Sequence, residues 1–385
     1  MAEDWQAGGF GLYIHWPFCA AKCPYCDFNS HVTAEIDHTR WRDAYLSEIR
    51  RIAALTPGRI LTSVFFGGGT PSLMAPDTTA AVIQTIRQAW PMVNDPEITL
   101  EANPTSVEAG RFRAFRDAGI TRISMGIQSL RDDHLRALGR LHTVAEARAA
   151  FDIARRAFDR VSFDLIYARQ NQSLPDWHAE LTEALAMAAD HLSLYQLTVE
   201  PGTAFGARYA KGGLRGLPDE DLAADLYDLT QDLCDHAGLP AYEISNHAAP
   251  GSESRHNLIY WRAGDYAGIG PGAHGRLTLN GQRLATETPR SPTAWLERVE
   301  QTGSGEQPPT PLSLPDQADE YLMMSLRLND GTDLARHRRL GGKISMDTID
   351  ILKELGLATI QNNHLIAQPA GRIVLNAVLR QLMAG

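Results

Sequence analysis

Three of the chain's four cysteines stand close together, as Cys19, Cys23 and Cys26 in the stretch WPFCAAKCPYCDF. The chain has no further cysteine pair, so this spacing favours metal binding or redox chemistry over a disulfide framework. Cys234 stands alone in an apolar helical pattern and is predicted to be a buried small hydrophobic residue.

Ligand count separates the chemistries that three thiolates can support. A thioredoxin-like redox pair would use Cys23 and Cys26 and would leave Cys19 unexplained. A closed zinc site needs four ligands, so His15 or His31 would have to complete it. A cubane iron–sulfur cluster on three thiolates leaves one iron open to a ligand that the protein does not provide. The cluster is favoured, and zinc stays open as the alternative.

Composition restricts the class of protein. The formal net charge is −10 over 385 residues, without a basic run, which argues against binding nucleic acid. The N-terminal stretch MAEDWQAGGF is acidic where a signal peptide would be basic, and no apolar run reaches the roughly 20 residues of a membrane span. The sequence therefore predicts a cytoplasmic protein without a transmembrane segment.

Short β-rich runs alternate with stretches of helical period through the first 200 residues, which predicts an α/β fold with a parallel sheet. Polar and glycine-rich motifs follow these runs, at the C-terminal ends of the predicted strands, where parallel α/β folds place their active sites. These motifs are GGGTP, EANP, GIQ and DLIYARQ. The six predicted strands are GLYIHW, TSVFF, EITLEAN, RISMGIQ, VSFDLIY and HLSLYQLT.

The second half of the chain shows a weaker alternation, from which three regions are predicted: a barrel over 1–245, a closing segment over 246–310 and a winged-helix-like domain over 311–385. The barrel region would end with a helix at about 218–237 and a short strand, AYEISN. The last region would follow a linker, LSLPDQ, and contain a two-strand wing in ATIQNNHLIAQ.

The CxxxCxxC spacing after a strand, with an aromatic residue before the last cysteine, resembles the radical SAM superfamily. The resemblance implies a partial (β/α)6 barrel of the TIM type and a [4Fe–4S] cluster whose open iron is chelated by S-adenosylmethionine. In that family, reduction of the cluster cleaves the sulfonium to a 5′-deoxyadenosyl radical. The resemblance implies that the residues binding S-adenosylmethionine are Tyr13, Tyr25, Gly68, Gly69, Thr70, Glu101, Gln128, Arg140 and Asp164.

Taken singly, these residues have simpler interpretations. A glycine-rich turn after a strand is about as often ordinary turn chemistry, and Glu101 could be a helix-capping or surface carboxylate. Their order along the chain, behind YIHWPFCAAKCPYCDF, resembles oxygen-independent coproporphyrinogen III oxidases and their relatives over nearly the whole chain. The loop after Asp164 departs from that family, since Ala-Arg-Gln follows DLIY in place of Gly-Leu-Pro.

Two features separate this chain from the oxidases. Phe28 stands where the oxidases carry a fourth cysteine, which puts decarboxylation of propionate side chains in doubt. HNLIYW matches the HNxxYW signature of the HemW-type haem chaperones, and imidazole and aromatic rings suit an iron-bearing macrocycle. A buried His–Asn pair beside aromatic core is the simpler interpretation. Arg255 could pair with a haem propionate, and the implied haem-binding residues are His256, Asn257, Tyr260 and Trp261.

The resemblance therefore predicts a haem chaperone that holds haem, the cluster and S-adenosylmethionine, and that delivers haem to respiratory haemoproteins. It also implies a homodimer and transient association with a membrane. The alternative is an oxidoreductase of porphyrin biosynthesis, similar to the coproporphyrinogen oxidases. Residues that bind S-adenosylmethionine do not by themselves imply that it is cleaved, so enzymatic turnover is left open.

Overall fold

The structure, a computed structural model, describes residues 3–33 and 35–384. Its strands are β1 (Phe10–Trp16), β2 (Phe18–Cys19), β3 (His31–Val32), β4 (Leu61–Gly68), β5 (Met92–Ala102), β6 (Arg122–Gln128), β7 (Arg160–Tyr167), β8 (His191–Gln196), β9 (Asn246–Ala248), β10 (Asp265–Ile269), β11 (His274–Leu279), β12 (Gln282–Glu287), β13 (Thr310–Pro311), β14 (Thr332–Asp333), β15 (Ala358–Gln361) and β16 (His364–Ala367).

The α-helices surround these strands and fill the C-terminal part of the chain. They are α1 (His38–Leu55), α2 (Pro76–Ala89), α3 (Ser106–Ala109), α4 (Phe112–Ala118), α5 (Asp132–Ala137), α6 (Val144–Ala157), α7 (Leu174–Met187), α8 (Ala204–Ala210), α9 (Glu220–His236), α10 (Arg255–Trp261), α11 (Pro292–Thr302), α12 (Leu314–Ser325), α13 (Leu334–Arg339), α14 (Met346–Glu354), α15 (Pro369–Ile373) and α16 (Leu375–Met383).

The six predicted strands are confirmed as a parallel unit, β1-β4-β5-β6-β7-β8, within one larger sheet. The α/β fold is that of the predicted partial (β/α)6 barrel. Side chains alternate between the two faces of each strand. On β1, Leu12, Ile14 and Trp16 are fully buried in the main core, whereas the Tyr13 ring stacks near His256 of α10 on the other face.

The predicted closing segment, 246–310, adds strands at both ends of the sheet. Strand β9 pairs antiparallel with β8, and β10 pairs parallel with β1. Strands β11 to β13 continue the sheet beyond β10. Helix α10 packs against β4, β1 and β10. The three domain boundaries at 245, 310 and 385 stay predictions.

Two local predictions were wrong. In AYEISN only Asn246 belongs to a named strand, because the Glu243 carboxylate accepts hydrogen bonds from the backbone N–H groups of Ile244 and Ser245 and holds them in a bend. The predicted linker LSLPDQ starts helix α12: Ser313 caps the helix reciprocally with Asp316, and proline suits the first turn. The helix predicted at 218–237 is α9, and Cys234 on it is fully buried as expected.

The C-terminal region has a core of its own, built by α12, α14, α16 and the sheet β14-β16-β15. The wing turns at Asn362 and Asn363, which both have positive φ, as asparagine tolerates in a tight hairpin. This region matches the predicted winged-helix-like unit. Among the described residues no helix is long and apolar enough to cross a membrane.

Candidate functional site

The three clustered cysteines lie on the loop between β1 and α1. Cys19 ends β2, and a turn in which the Cys26 N–H donates to the Cys23 carbonyl, at 3.1 Å, brings the other two alongside. All three thiols are free, half-buried and line one cavity of about 140 Å³. The sequence prediction that these side chains act together is therefore consistent with their placement.

The environment of the sulfur atoms suits a thiolate-bound cluster. Thr70 Oγ1 donates to Cys19 Sγ at 3.4 Å, and Arg140 Nη1 donates to Cys23 Sγ at 3.4 Å. The buried Nε of Arg140 has no partner among the described residues. Burial raises the pKa of the Cys19 and Cys26 thiols, so metal binding there has to displace their protons. Three convergent thiols with donors behind them fit the expected group.

His15 and His31, the candidate zinc ligands, are engaged with Asn29. His15 Nε2 lies 2.9 Å from the Asn29 carbonyl, and its Nδ1 accepts from the Tyr13 hydroxyl at 3.0 Å. Burial lowers the pKa of His15 to about 4, which keeps the ring neutral. His31 Nε2 lies 3.2 Å from Asn29 Oδ1. Both histidines therefore support the loop in this structure.

Asn29 links the cluster loop to the glycine-rich passage of the closing segment. Its side-chain amide donates to the carbonyls of Pro271 and Arg290, each at 2.9 Å. A Cβ on Gly272 would lie 2.5 Å from the Asn29 amide nitrogen, so this close approach requires glycine. The sequence analysis missed Asn29, because its partners lie 242 and 261 residues away.

The strand ends bring most of the predicted S-adenosylmethionine residues to the cysteine cavity. Gly69 passes so close to the loop that a Cβ would lie 2.7 Å from the Phe18 carbonyl oxygen. Tyr13 is not a lining residue, since its ring stacks against Phe65 and its hydroxyl bonds His15. The lining residues from the predicted set are Tyr25, Gly68, Gly69, Thr70, Glu101, Gln128, Arg140 and Asp164.

Asn103, at the end of β5 in the EANP motif, is a second residue that the sequence analysis missed. Its side-chain oxygen accepts from Arg140 Nη2 at 2.6 Å, and its amide donates to Thr70 Oγ1 at 3.1 Å. It thereby connects the two side chains that donate to Cys19 and Cys23. Its position at a strand end beside Glu101 was the signal that could have identified it.

Two carboxyl groups line the cavity: Glu101 from β5 and Asp164 from β7, the strands on either side of β6. Burial raises the pKa of Glu101 to about 8, and the charge of Asp164 adds to the rise. Burial also raises the pKa of Asp164 to about 6, although Ser193 and Ser124 stabilise its ionised form. A neutral Glu101 beside a hydroxyl-bearing ligand can both donate and accept a hydrogen bond.

We expect Glu101→Gln to stabilise the cofactor-free protein more at pH 8 than at pH 5. The pKa of Glu101 is higher in the folded chain than its ordinary 4.5, so its ionisation costs folding free energy as pH rises toward 8. The glutamine amide carries no charge. The substitution should therefore remove roughly 3 kcal/mol from the difference in unfolding free energy between pH 5 and pH 8.

Urea unfolding of both proteins at the two pH values measures the difference. Glu297→Gln, on the exposed side of α11, is the control and should change stability equally at both. A Glu101→Gln effect that is the same at pH 5 and pH 8 would contradict the raised pKa.

A larger cavity, of about 990 Å³, adjoins the cysteine cavity and lies between the strand ends and the C-terminal region. Tyr25, Cys26, Phe28, Glu101, Gln128 and Asp164 line both cavities, so a ligand here would lie beside the cysteines. Three of the four predicted haem residues, Asn257, Tyr260 and Trp261, line it as well.

His256 is the predicted haem residue that does not line this cavity. Its ring is buried against Phe65, with centroids 5.0 Å apart. Ser63 Oγ lies 2.8 Å from Nδ1, and the Tyr260 hydroxyl lies 2.7 Å from Nε2. Burial lowers the pKa of His256 to about 3. Haem binding by His256 stays a prediction, and binding through Nε2 would require the Tyr260 hydroxyl to move away from it.

Arg255 does not reach the large cavity, contrary to the suggested propionate contact. Its guanidinium contacts Asp95, with Nη2 3.0 Å from Oδ2, and its backbone N–H donates to Glu97. Glu97 also accepts from the Ser254 hydroxyl and the His256 N–H, and so fixes the start of α10. Arg255 therefore belongs to the anchoring of this helix.

Comparison with known proteins gives the family. The sequence profile of the Radical SAM superfamily matches residues 13–179. The haem chaperone HemW of Escherichia coli K12 is 41% identical over 292 residues, which cover 74% of this chain and 75% of that protein. The chain belongs to the HemW-type radical SAM proteins. This family implies a [4Fe–4S] cluster and S-adenosylmethionine, and the three convergent thiols of the cysteine cavity suit the cluster.

A second relative matches almost the whole chain. The bovine protein named radical S-adenosyl methionine domain-containing protein 1, mitochondrial, is 37% identical over 385 residues, covering 97% of this chain and 87% of that protein. The solved structure of coproporphyrinogen III oxidase (HemN) from Escherichia coli superposes with a TM-score of 0.81 at 21% identity. It covers 98% of this chain and 92% of its own. At this identity the likeness shows the shared fold.

Proposed function

We propose that this protein is a haem chaperone that binds haem in the large cavity beside the cysteine cavity and passes it to haem-accepting proteins. The HemW relatives support the haem-related role. The observation that carries the proposal is the cavity itself, where aromatic side chains from α10 face the strand ends next to three cysteines.

The residues of the proposed site fall into two groups, one around the cysteines and one that lines the large cavity. A [4Fe–4S] cluster held by Cys19, Cys23 and Cys26 would supply, once reduced, the electron for cleavage of the sulfonium of S-adenosylmethionine. Arg140 and Thr70 hold the thiolates, and Asn103 fixes both donors. Tyr260 and Trp261 present aromatic surfaces to a flat ligand, and Asn257 is oriented by donating to the Tyr242 hydroxyl at 3.2 Å.

Coproporphyrinogen oxidation is the second candidate, because the large cavity opens onto the cysteines as a substrate site for radical chemistry would. Phe28 lines this junction in place of the oxidases' fourth cysteine, and 59% of its surface is exposed. Its apolar ring suits contact with a macrocycle and offers no thiol chemistry. Anaerobic product analysis with coproporphyrinogen III separates the two functions, since a carrier releases no carbon dioxide and forms no vinyl product.

We expect the reconstituted protein to bind haem saturably under anaerobic conditions and Trp261→Ala to bind it at least about tenfold more weakly. Removing the indole takes away a large aromatic contact in the cavity wall. Titration followed at the Soret band measures both affinities. Tyr209→Ala, which removes an exposed ring outside the cavity, is the control. Absence of saturable binding in the parent protein would overturn the chaperone proposal.

The acceptors belong to the same proposal. We infer that haem passes to respiratory haemoproteins from a homodimer in the cytoplasm that associates transiently with the membrane. Mixing the haem-loaded protein with an acceptor lacking haem should shift the Soret band to the acceptor's spectrum. A spectrum that remains that of the loaded protein would contradict delivery.

A further inference from the structure

The large cavity has walls of opposite character. Its barrel side carries the acids Glu101 and Asp164, and Glu243, whose carboxylate is already bonded to Ile244, Ser245 and Asn246. The side formed by the C-terminal region carries three arginines: Arg327, Arg372 and Arg380. Positive charge is thus concentrated on one wall of a protein whose net charge is −10.

The three arginines lack the carboxylate partners that several other arginines of the chain have, although Arg327 Nη1 donates to the Met323 carbonyl and Arg380 is exposed. Arg276 pairs with Glu320, Arg283 with Asp265 and Arg336 with Asp4. Among the described residues, Arg327, Arg372 and Arg380 form no ion pair, and Nη2 of Arg372 is buried without any hydrogen-bond partner. Leaving a buried guanidinium nitrogen unpaired is costly, and Arg372 lines the cavity, so an anionic ligand there would supply the acceptors that this side chain lacks.

The position of Arg372 and Arg327 is set by packing. Arg372 is in the short helix α15, whose N-terminus is fixed by Pro369. Arg327 lies with its guanidinium 5.9 Å from the Trp261 ring centroid, so it links the cation wall to the aromatic wall. Glu243 exerts its charge on Arg327 without forming an ion pair. A ligand between these residues would meet aromatic carbon and guanidinium together.

The apolar lining indicates the rest of the ligand. Four large apolar side chains around the cavity remain substantially exposed: Phe28, Tyr195, Ile373 and Val374, at 59, 41, 41 and 42%. Exposed apolar surface beside unpaired cations suits a ligand with a flat apolar body and carboxylates at one edge. Arginine is well suited to those carboxylates, because its planar donors can bind both oxygens of one group.

We propose that Arg372, assisted by Arg327 and Arg380, binds the carboxylates of the macrocycle and thereby orients it with its acidic edge toward the C-terminal region. This inference rests on the proposed haem function and deepens it. The C-terminal region then contributes the specificity of the site, since it distinguishes a carboxylate-bearing tetrapyrrole from an uncharged one. The barrel region contributes the wall of the cavity that lies beside the three cysteines.

The test compares two ligands and three proteins by anaerobic titration. The ligands are haem and its dimethyl ester, which keeps the ring and lacks the charges. The proteins are the full-length parent, Arg372→Gln, and the control Arg338→Gln, whose arginine is exposed on α13 outside the cavity. We expect Arg372→Gln to bind haem about tenfold or more weakly than the parent, and the control to bind it as tightly as the parent.

The dimethyl ester keeps the test decisive if Arg372→Gln folds poorly. The parent protein should bind the ester at least about tenfold more weakly than haem, and Arg372→Gln should bind haem and ester alike. Equal affinity of the parent for both ligands, with Arg372→Gln unchanged, would overturn the assignment of Arg372 and leave the chaperone proposal standing. Failure of the parent to bind haem at all would overturn the proposed function and this inference with it.

Discussion

Cys23→Ser should abolish the broad near-ultraviolet and visible absorbance of the reconstituted cluster. Cys23 is one of three free thiols on a single cavity, and its sulfur already accepts from Arg140. A serine hydroxyl is a harder and less acidic ligand than a thiolate, and two remaining thiolates do not satisfy a cubane that the protein holds by three. We expect iron and acid-labile sulfide to fall below about a tenth of the parent content.

The controls separate loss of the cluster from loss of the fold. Cys234→Ala changes the fourth cysteine, which is buried in the main core, and should leave the cluster intact. The Cys23→Ser chain should keep the far-ultraviolet circular dichroism of the cofactor-free parent. Retained cluster absorbance would contradict the three-thiolate assignment. Zinc without sulfide in the parent protein would revive the alternative of a zinc site.

His256→Ala should lower the free energy of unfolding by about 3 kcal/mol. The ring is buried, stacks on Phe65 and bonds both Ser63 and Tyr260, so its removal leaves a cavity and two hydroxyls without partners. Urea unfolding of the cofactor-free chain measures the effect. His178→Ala, an exposed position on α7, should change stability by less than about 0.5 kcal/mol.

Tyr260→Phe tests whether His256 only supports the fold or also binds haem through its imidazole. This change removes the hydroxyl that lies 2.7 Å from Nε2 and keeps the ring that lines the large cavity. If His256 becomes a ligand when haem binds, freeing Nε2 should preserve or strengthen haem binding, whereas His256→Ala should weaken it. If His256→Ala leaves the free energy of unfolding unchanged, the structural role that we assign to the ring is contradicted.

The sequence was sufficient for the features that depend on local pattern. The alternation of apolar runs predicted six parallel strands, and parallel strands place GGGTP, EANP and DLIYARQ at one edge whatever the details of packing. The predicted residues from Gly68 to Asp164 therefore lie around the cysteines in the structure. Cysteine spacing likewise predicted a common site without knowledge of the loop's conformation.

Features that depend on distant contacts could not be predicted in this way. The direction of His256 is decided by Glu97, which anchors the start of α10 from 159 residues away. A seven-residue helix gives too short a pattern to show which face is buried. Nothing in the sequence distinguishes Arg372 and Arg327 from other arginines, because only the packing of the C-terminal region against the strand ends brings them to the large cavity. The bend in AYEISN likewise comes from one carboxylate capping two backbone N–H groups.

The pairing of β10 with β1 bears on when the cysteine loop can adopt its folded conformation during synthesis. Strand β1 emerges from the ribosome first, but its second neighbour, and the carbonyls of Pro271 and Arg290 that hold Asn29, are made some 250 residues later. Domains fold as units while translation proceeds from the N-terminus. We therefore expect the cysteine loop to reach its final conformation only after residue 290 has been made, and a chain that stops before residue 265 should lack the contacts that hold Asn29.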